Sequence, residues 1–233
     1  MFILRGHRRC GTEMLRTALD SHTQITCHDE LVHVKHMRAI TELGLARYLQ
    51  SYRMRTHDGF VANSHIAEGG IELQQIIQQM WSAAALFSFP VVALRRRDLI
   101  RRAASDVIAT TTGVHRVMLD SKPNRTQHTL VMTPEQLVRS ADSAQRAFDA
   151  TGVLFPMACV VVYEDLLTDW DKQMARIFEY IGVENQIVGA ATRRQEVRKI
   201  RDIVYNYDEL KDQLYGTHPY LFDIAEQTDA LFD

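Results

Sequence analysis

The sequence predicts an α/β protein with a mostly parallel sheet flanked by helices, because short apolar runs alternate with stretches of helical periodicity. The predicted strands are 2–4, 59–62, 89–94 and 158–162. The predicted helices are 14–19, 37–52, 71–87, 99–108, 133–150 and 169–182, with a charged, helical remainder from about 186 onward. No repeat, low-complexity segment or linker divides the chain, so residues 1–233 are predicted to form a single domain.

Apolar spacing defines the elements of the first half. The run 2–4 reads as a strand, and the helix that follows it has one apolar face. Residues 37–52 have a helical pattern, 59–62 is a short strand, and 71–87 carry an apolar stripe at helical spacing.

In the second half of the chain, the residues that begin and end helices and strands are easier to recognise. The unbroken apolar run 89–94 is typical of a buried parallel strand, and the helix after it turns its apolar residues inward. A capping box with a proline at the first helical position opens the helix at 133. Residues 158–162 are the clearest strand, and the next helix is bounded by Asp169 as its cap and by Gly182.

Charge and composition indicate local anion sites and no general affinity for nucleic acid. Lys and Arg number 27 against 29 Asp and Glu, for a net charge of −2, so we expect neither a nucleic-acid partner nor attraction to an anionic membrane. The arginines are nevertheless clustered, at 8–9, 95–97, 101–102 and 193–194. Clusters of this kind favour discrete sites for anions.

Cysteine usage and hydropathy predict a cytoplasmic protein. Cys10, Cys27 and Cys159 have no paired spacing, which suits a reducing compartment. No apolar stretch reaches about 18 residues and no leader pattern precedes the first strand, so no membrane span is expected. The sequence leaves open whether the protein forms a homodimer. The histidines clustered in sequence have no metal-ligand spacing, so no metal is predicted; they are His22, His28, His33 and His36.

The turn after the first strand has the frame of a phosphate-binding loop. Gly6 and Gly11 are five residues apart, but Thr12 stands where a nucleotide triphosphatase has its lysine and Glu13 where it has the magnesium-binding hydroxyl. Arginines in the turn can neutralise a phosphate instead. The pattern therefore favours a phosphate ligand that is bound without magnesium. An ordinary strand-to-helix turn with surface arginines would have the same sequence pattern.

Four strand ends are predicted to meet at one rim of the sheet. In parallel sheets ligands bind outside the carboxyl ends of the strands. The residues that follow the predicted strands are 8–9, 63–65, 95–97 and 163–165, which bring arginines, a histidine and an aromatic-carboxylate group to that rim.

The residues of this rim resemble those of the sulfotransferases that use 3′-phosphoadenosine 5′-phosphosulfate (PAPS). Residues 6–15 resemble that family's 5′-phosphosulfate loop, G-x-P-R-S-G-T-T-x-L. Arg9, Gly11 and Thr12 match it, Arg8 replaces the proline and Cys10 replaces the serine. Where the loop usually has a second hydroxyl residue, this chain has Glu13.

Three further segments carry the resemblance along residues 2 to about 221. Arg97 and Ser105 lie eight residues apart, as do the arginine and serine that bind the 3′-phosphate in the family. Residues 162–166 match a Y-E-D-L segment that begins at Tyr163, and Arg194 lies in a segment similar to the basic loop that closes on the cofactor. The resemblance implies a P-loop-like sulfotransferase fold.

The same resemblance implies a metal-independent enzyme that transfers the sulfuryl group of PAPS to a hydroxyl or amine of a small-molecule or saccharide acceptor, with release of PAP. The residues it assigns to the cofactor are Arg8, Arg9, Cys10, Gly11, Thr12, Glu13, Arg97, Ser105, Tyr163 and Arg194. Sulfuryl transfer needs a general base for the acceptor, and His65 and Glu30 both resemble bases of the family. Two alternatives stay open: a P-loop nucleotide or small-molecule kinase, and a non-catalytic nucleotide-binding module of the same fold.

Overall fold

A parallel sheet lies at the centre of the molecule, as predicted. The computed structural model describes residues 1–30, 47–48, 51, 57–63, 89–114, 129–192 and 198–232. Within these residues the sheet has five strands, all parallel, in the order β2-β3-β1-β4-β5. The strands are β1 (Phe2–Gly6), β2 (Ile25–Glu30), β3 (His57–Asn63), β4 (Val91–Arg95) and β5 (Cys159–Val162).

Helices of the described residues cover both faces of this sheet. They are α1 (Thr12–Asp20), α2 (Leu99–Thr112), α3 (Pro134–Leu154), α4 (Tyr163–Thr168), α5 (Trp170–Ile181), α6 (Ile200–Ile203), α7 (Tyr207–Leu214) and α8 (Pro219–Asp229), with a 3₁₀ turn at Ala230–Phe232. Apart from residues 47–48, which are helical, the predicted helices 37–52 and 71–87 lie almost entirely outside the described residues.

The core forms two clusters on opposite sides of the sheet. On one side α1 and α5 pack on the sheet through side chains such as Leu15 and Phe178. On the other side α2 and α3 pack with the C-terminal helices through side chains such as Ile100, Leu137 and Phe222. Every residue of β1 is buried, as expected for a central strand covered on both faces.

The structure departs from the sequence prediction in four details. Residues 25–30 form strand β2, which the sequence did not predict, and Glu30 is its last residue. Tyr163–Thr168 is a helix, and Asp169 occupies the cap position of α5 without a side-chain hydrogen bond to it. The region after 186 is not continuously helical, because its first described helix begins at Ile200.

The capping box at the start of α3 was predicted correctly. The Thr133 hydroxyl accepts from the Gln136 N–H at 3.2 Å, and the Gln136 side chain accepts from the Thr133 N–H at 3.0 Å. Among the described residues, no helix combines the length and the apolar character that a membrane crossing requires.

Candidate functional site

The turn between β1 and α1 has a backbone shape suited to binding an anion. The Cys10 N–H donates to the His7 carbonyl at 3.2 Å, which closes a four-residue turn. Arg9, its third residue, has φ 63°, and Gly11 has φ 93°. Left-handed residues that alternate with ordinary ones turn main-chain N–H groups to a common side, which is how backbone anion sites form.

Both glycines of the turn are required by close contacts. A Cβ atom on Gly6 would lie 2.5 Å from the Thr12 methyl, and a Cβ on Gly11 would lie 2.5 Å from the Tyr163 ring. Tyr163 is 7% exposed and packs directly against the turn. Its contacts therefore give it a structural role in shaping the turn.

The N-terminus of α1 faces this turn without a side-chain cap. The N–H groups of a helix's first turn have no partner within the helix, and the helix dipole favours negative charge there. Glu13 lies in this first turn, but Arg16 binds its carboxylate through two hydrogen bonds of 3.0 and 2.9 Å. The negative charge that the sequence introduces at this point is thus paired within the helix.

Arg9 joins the turn to helix α2. Its Nε donates to the Ser105 hydroxyl at 2.9 Å, and its carbonyl accepts from Arg96 Nη1 at 3.1 Å. The Arg96 guanidinium also lies over the Tyr163 ring, 4.8 Å from its centre. Burial lowers the pKa of Arg9, which nevertheless remains a cation at neutral pH.

Arg102 holds the other side of the turn and is 1% exposed. Its Nη1 donates to His7 Nδ1 at 3.0 Å and to the Arg8 carbonyl at 3.4 Å. Its Nη2 donates to the carbonyl of Ser140, on α3, at 2.7 Å and also to the Ser140 hydroxyl. His7 Nε2 in turn contacts the Ser143 hydroxyl at 3.2 Å. Helices α2 and α3 therefore hold the turn in place through these hydrogen bonds.

His7 is neutral in this arrangement. Burial and the neighbouring Arg102 lower the pKa of His7 to about 4. Because a guanidinium can only donate, Nδ1 must accept from Arg102, and Nε2 carries the proton that is donated to Ser143.

Arg97 and Ser105, the predicted 3′-phosphate pair, have different partners in the structure. The Arg97 side chain is half-exposed and forms an ion pair with Asp165. Ser105 binds Arg9 instead. The buried Glu164 carboxylate accepts from the N–H groups of Arg97 and Asp98 at 3.0 and 3.1 Å. The Y-E-D segment thus fixes the backbone after β4.

Asp98 and Arg101 anchor the C-terminal helices beside the site. Asp98 is fully buried, and burial raises the pKa of its carboxyl group to about 6. Arg101 Nε lies 3.2 Å from Asp98, its Nη1 donates to the Arg198 carbonyl at 2.7 Å, and its Nη2 pairs with Asp229. Asp229 also accepts from the Ile200 N–H at 3.0 Å.

The other predicted site residues differ in what the structure says of them. Cys10 is 3% exposed, and burial raises the pKa of its thiol, so its contribution to the turn is through the backbone. Glu30 ends β2, but its side chain lies outside the described residues, as do His65 and Arg194. No group of three metal-ligating side chains occurs in the part of the chain that the structure describes.

Sequence reasoning missed three residues of this site: His7, Arg96 and Arg102. Their only signal was membership in the first turn and in the arginine clusters at 95–97 and 101–102. The sequence gives no way to tell which arginines of a cluster turn inward toward the loop.

Two solved structures of sulfotransferases resemble this chain. One is the sulfotransferase from Alicyclobacillus acidocaldarius, with 15% identity, a TM-score of 0.57 and coverage of 97% of this chain and 95% of that one. The other is the sulfotransferase domain of the Synechococcus PCC 7002 olefin synthase, with 13% identity, a TM-score of 0.42 and coverage of 80% and 74%. No protein-family model matches the chain, and no curated protein matches it in sequence. The first likeness establishes that the chain has a sulfotransferase-type fold.

Proposed function

We propose that this protein is a metal-independent sulfotransferase that uses PAPS as its sulfuryl donor. The observation that carries the proposal is the turn between β1 and α1, whose left-handed residues and uncapped helix N-terminus are surrounded by the guanidinium groups of Arg9, Arg96 and Arg102. The sulfotransferase-type fold supports the same proposal.

The residues of the turn fit a 5′-phosphosulfate group. The first-turn N–H groups of α1 and the side chains of Arg8 and Arg9 would hold its oxygens. Thr12 turns its methyl group toward Gly6 and Glu13 is bound by Arg16, so neither residue acts as the lysine or the magnesium-binding hydroxyl of a triphosphatase. This favours a sulfuryl donor over a nucleoside triphosphate with magnesium.

The 3′-phosphate would be bound beside the turn. We assign Ser105, Arg97 and Arg194 to this side of the donor, and the hydrogen bond from Arg9 to Ser105 joins it to the turn. For Arg97 to bind a phosphate, its guanidinium must exchange Asp165 for the ligand. An exposed ion pair contributes only about 0–1 kcal/mol, so this exchange costs little.

In the proposed reaction the acceptor oxygen or nitrogen attacks the sulfur atom. The bond from sulfur to the phosphate oxygen breaks, its electron pair leaves with PAP, and the acceptor proton passes to a base. Fixed N–H donors and guanidinium groups stabilise the negative charge that develops on the leaving phosphate. We assign the base to His65 or Glu30, and a small-molecule or saccharide compound as the acceptor.

Ligand binding tests the donor assignment. We expect 3′,5′-bisphosphoadenosine to raise the melting temperature in buffer with EDTA, because a ligand that binds only the native state stabilises it. Adenosine 5′-monophosphate, which lacks the second phosphate, is the matched control and should act more weakly. A larger shift with ATP and magnesium would contradict the proposal and favour a kinase.

Turnover tests the base assignment. With radiolabelled PAPS and a panel of hydroxyl and amine acceptors, His65→Asn or Glu30→Gln should lower kcat by about 10²–10⁴-fold while bisphosphate affinity stays near that of the wild type. The exposed Glu179 and the C-terminal His218 provide matched controls, as Glu179→Gln and His218→Asn. If bisphosphate binds but no acceptor in the panel is sulfated by the wild type, the chain is a non-catalytic module.

Two further expectations belong to this proposal. The three cysteines are free thiols, as is common in a cytoplasmic enzyme, and two of them, Cys10 and Cys27, are buried. Whether the protein forms a homodimer can be tested by sedimentation of the purified protein.

A further inference from the structure

Arg102 is a buried cation whose hydrogen bonds all go to neutral groups in the part of the chain that the structure describes. They go to the imidazole of His7, the Arg8 carbonyl, and the carbonyl and hydroxyl of Ser140. Asp106, one turn further along α2, attracts Arg102 electrostatically without a hydrogen bond to it. Burial lowers the pKa of Arg102, so the fold holds this charge at a cost in solvation.

The neighbouring Arg101 provides the contrast. It is also buried, but it is paired with the carboxylates of Asp98 and Asp229. A buried charge is ordinarily balanced in this way. Arg102 differs because its hydrogen bonds go to the turn that we assign to anion binding and to Ser140 on α3, and none of them goes to a carboxylate of the described residues.

The contacts of Arg102 also fix the backbone of the turn. It draws in the Arg8 carbonyl and His7 on one side and is itself held by Ser140 on α3. The Arg9 carbonyl, next along the chain, is drawn toward Arg96. Guanidinium groups therefore hold two consecutive carbonyl groups of the turn, at Arg8 and Arg9.

We propose that Arg102 is a positioning residue of the anion site: it clamps the turn to α2 and α3, and its charge attracts the bound anion from beneath the turn without touching it. This inference rests on the proposed function only in that the turn binds a phosphate- or sulfate-type anion. It assigns to the site a cation that the loop motif itself does not contain.

The test compares three variants of Arg102 with two anions and one neutral ligand. The variants are Arg102→Lys, which keeps the charge, and Arg102→Gln and Arg102→Met, which remove it. The probes are 3′,5′-bisphosphoadenosine, inorganic pyrophosphate and adenosine, measured by calorimetry. We expect Gln and Met to weaken both anions about tenfold or more and adenosine less than twofold, whereas Lys restores at least half of the lost binding free energy.

Two controls separate charge from folding. Ser140→Ala removes part of the clamp and keeps the charge, so its loss of anion affinity should be smaller than that of Arg102→Gln. Arg201→Gln removes an exposed, ion-paired arginine from α6 and should leave all three affinities unchanged. If Arg102→Gln fails to fold, the Lys and Ser140 variants still decide, because a purely structural Arg102 predicts no rescue by lysine.

The outcomes distinguish this inference from the proposed function. If the wild type binds pyrophosphate but not 3′,5′-bisphosphoadenosine, the donor assignment fails and the role of Arg102 is still measured. If Gln, Met and Lys lose equal affinity, or if adenosine weakens as much as the anions, the proposed role of the charge is overturned. A wild type that binds neither anion overturns both proposals.

Discussion

Two groups of arginines lie side by side at the carboxyl end of the sheet and differ in what they bind. The inner group consists of Arg9, Arg96 and Arg102. It surrounds the turn after β1, and its members donate hydrogen bonds to hydroxyl, carbonyl and imidazole groups of the described residues. The outer group, Arg97 and Arg101, pairs with carboxylates. Arg96 borders both groups, with its Nε 3.9 Å from Glu164.

The difference separates charges that stabilise the fold from charges available to a ligand. A carboxylate that pairs with an arginine cancels its field at short range, so the outer group mainly joins segments of the protein. Hydroxyl and carbonyl partners orient a guanidinium without neutralising it, so we expect the inner group to contribute positive potential at the turn, reduced by Asp106, which attracts Arg9 and Arg102. Each prediction below tests this division.

The largest expected effect is on stability, at Arg101. Arg101→Met removes the cation that is paired with the buried Asp98 and with Asp229, so we expect the free energy of unfolding to fall by about 3–5 kcal/mol. Urea denaturation measures it. Arg201→Met, at an exposed ion pair, should cost less than about 1 kcal/mol. A loss at Arg101 as small as that at Arg201 would contradict a stabilising role for the outer group.

The next effect is on anion affinity, at Arg9 and Arg97. Loss of a charge-assisted hydrogen bond costs about 1.5–3 kcal/mol, so Arg9→Ala should weaken 3′,5′-bisphosphoadenosine by more than tenfold. Arg97→Ala should weaken it less, because Arg97 must first leave Asp165. Titration calorimetry compares the two variants.

Asp165→Asn is the matched variant for this comparison. It frees Arg97 without removing any cation, so bisphosphate affinity should rise if Arg97 binds the ligand. Unchanged affinity in both Asp165→Asn and Arg97→Ala would exclude Arg97 from the site.

The sequence predicted the framework of this site because the signals there are local. The apolar strand, the two glycines and the following helix are adjacent in the chain, and the glycines are required by the contacts seen at Gly6 and Gly11. Strand β2 was missed because its six residues include Thr26, His28, Asp29 and Glu30, so its apolar run is too short to read. Only pairing with β3 makes it a strand.

The division between the two arginine groups was not predictable from the sequence. Arg101 and Arg102 are adjacent and both buried, yet they turn to different partners on α8 and α3. Adjacent residues on a helix project about 100° apart, and what each meets depends on tertiary packing. The eight-residue spacing of Arg97 and Ser105 carried no information about their partners in the structure, Asp165 and Arg9.

A smaller effect is expected in the pH dependence of stability, where His7 and Asp98 act in opposite directions. His7, which faces Arg102, Arg8 and Asp106, has its pKa lowered to about 4, so the unfolded chain binds the proton first as the pH falls below 6.5. Its contribution to stability is therefore lost as the pH falls from about 6.5 to 4. Asp98, which faces Arg96, Arg101 and Glu164, has its pKa raised to about 6, so its contribution is lost as the pH rises from about 4 to 6.

Single variants should separate the two slopes, which largely cancel in the wild type. Asp98→Asn should leave stability rising between pH 4 and 6 through His7, and His7→Asn should leave it falling through Asp98. Because one pKa unit corresponds to about 1.4 kcal/mol, each change should be on the order of 1–2 kcal/mol over this window after allowance for solvent screening at His7. Urea denaturation at several pH values measures it, and parallel slopes in the two variants would contradict the assignment.

The smallest effect concerns the backbone of the turn itself. Arg9 is the non-glycine residue with positive φ in the described part of the chain, at 63°, and a left-handed conformation costs an ordinary residue about 1–2 kcal/mol. Arg9→Gly and Arg9→Ala both remove the guanidinium, so their difference in stability isolates this strain.

We expect Arg9→Gly to be more stable than Arg9→Ala by about 0.5–1 kcal/mol. Glycine relieves the backbone strain, but its greater conformational entropy in the unfolded chain offsets part of this gain. Arg8 is the matched control, because its φ is not positive: there the glycine variant should be the less stable of the pair. If the glycine variant is less stable than the alanine variant at residue 9 as well, the turn relaxes once the Arg9 side chain is removed. In that case the contact of Arg9 with Ser105, together with Arg96 and Arg102, holds the left-handed conformation, and the inner group shapes the anion site as well as charging it.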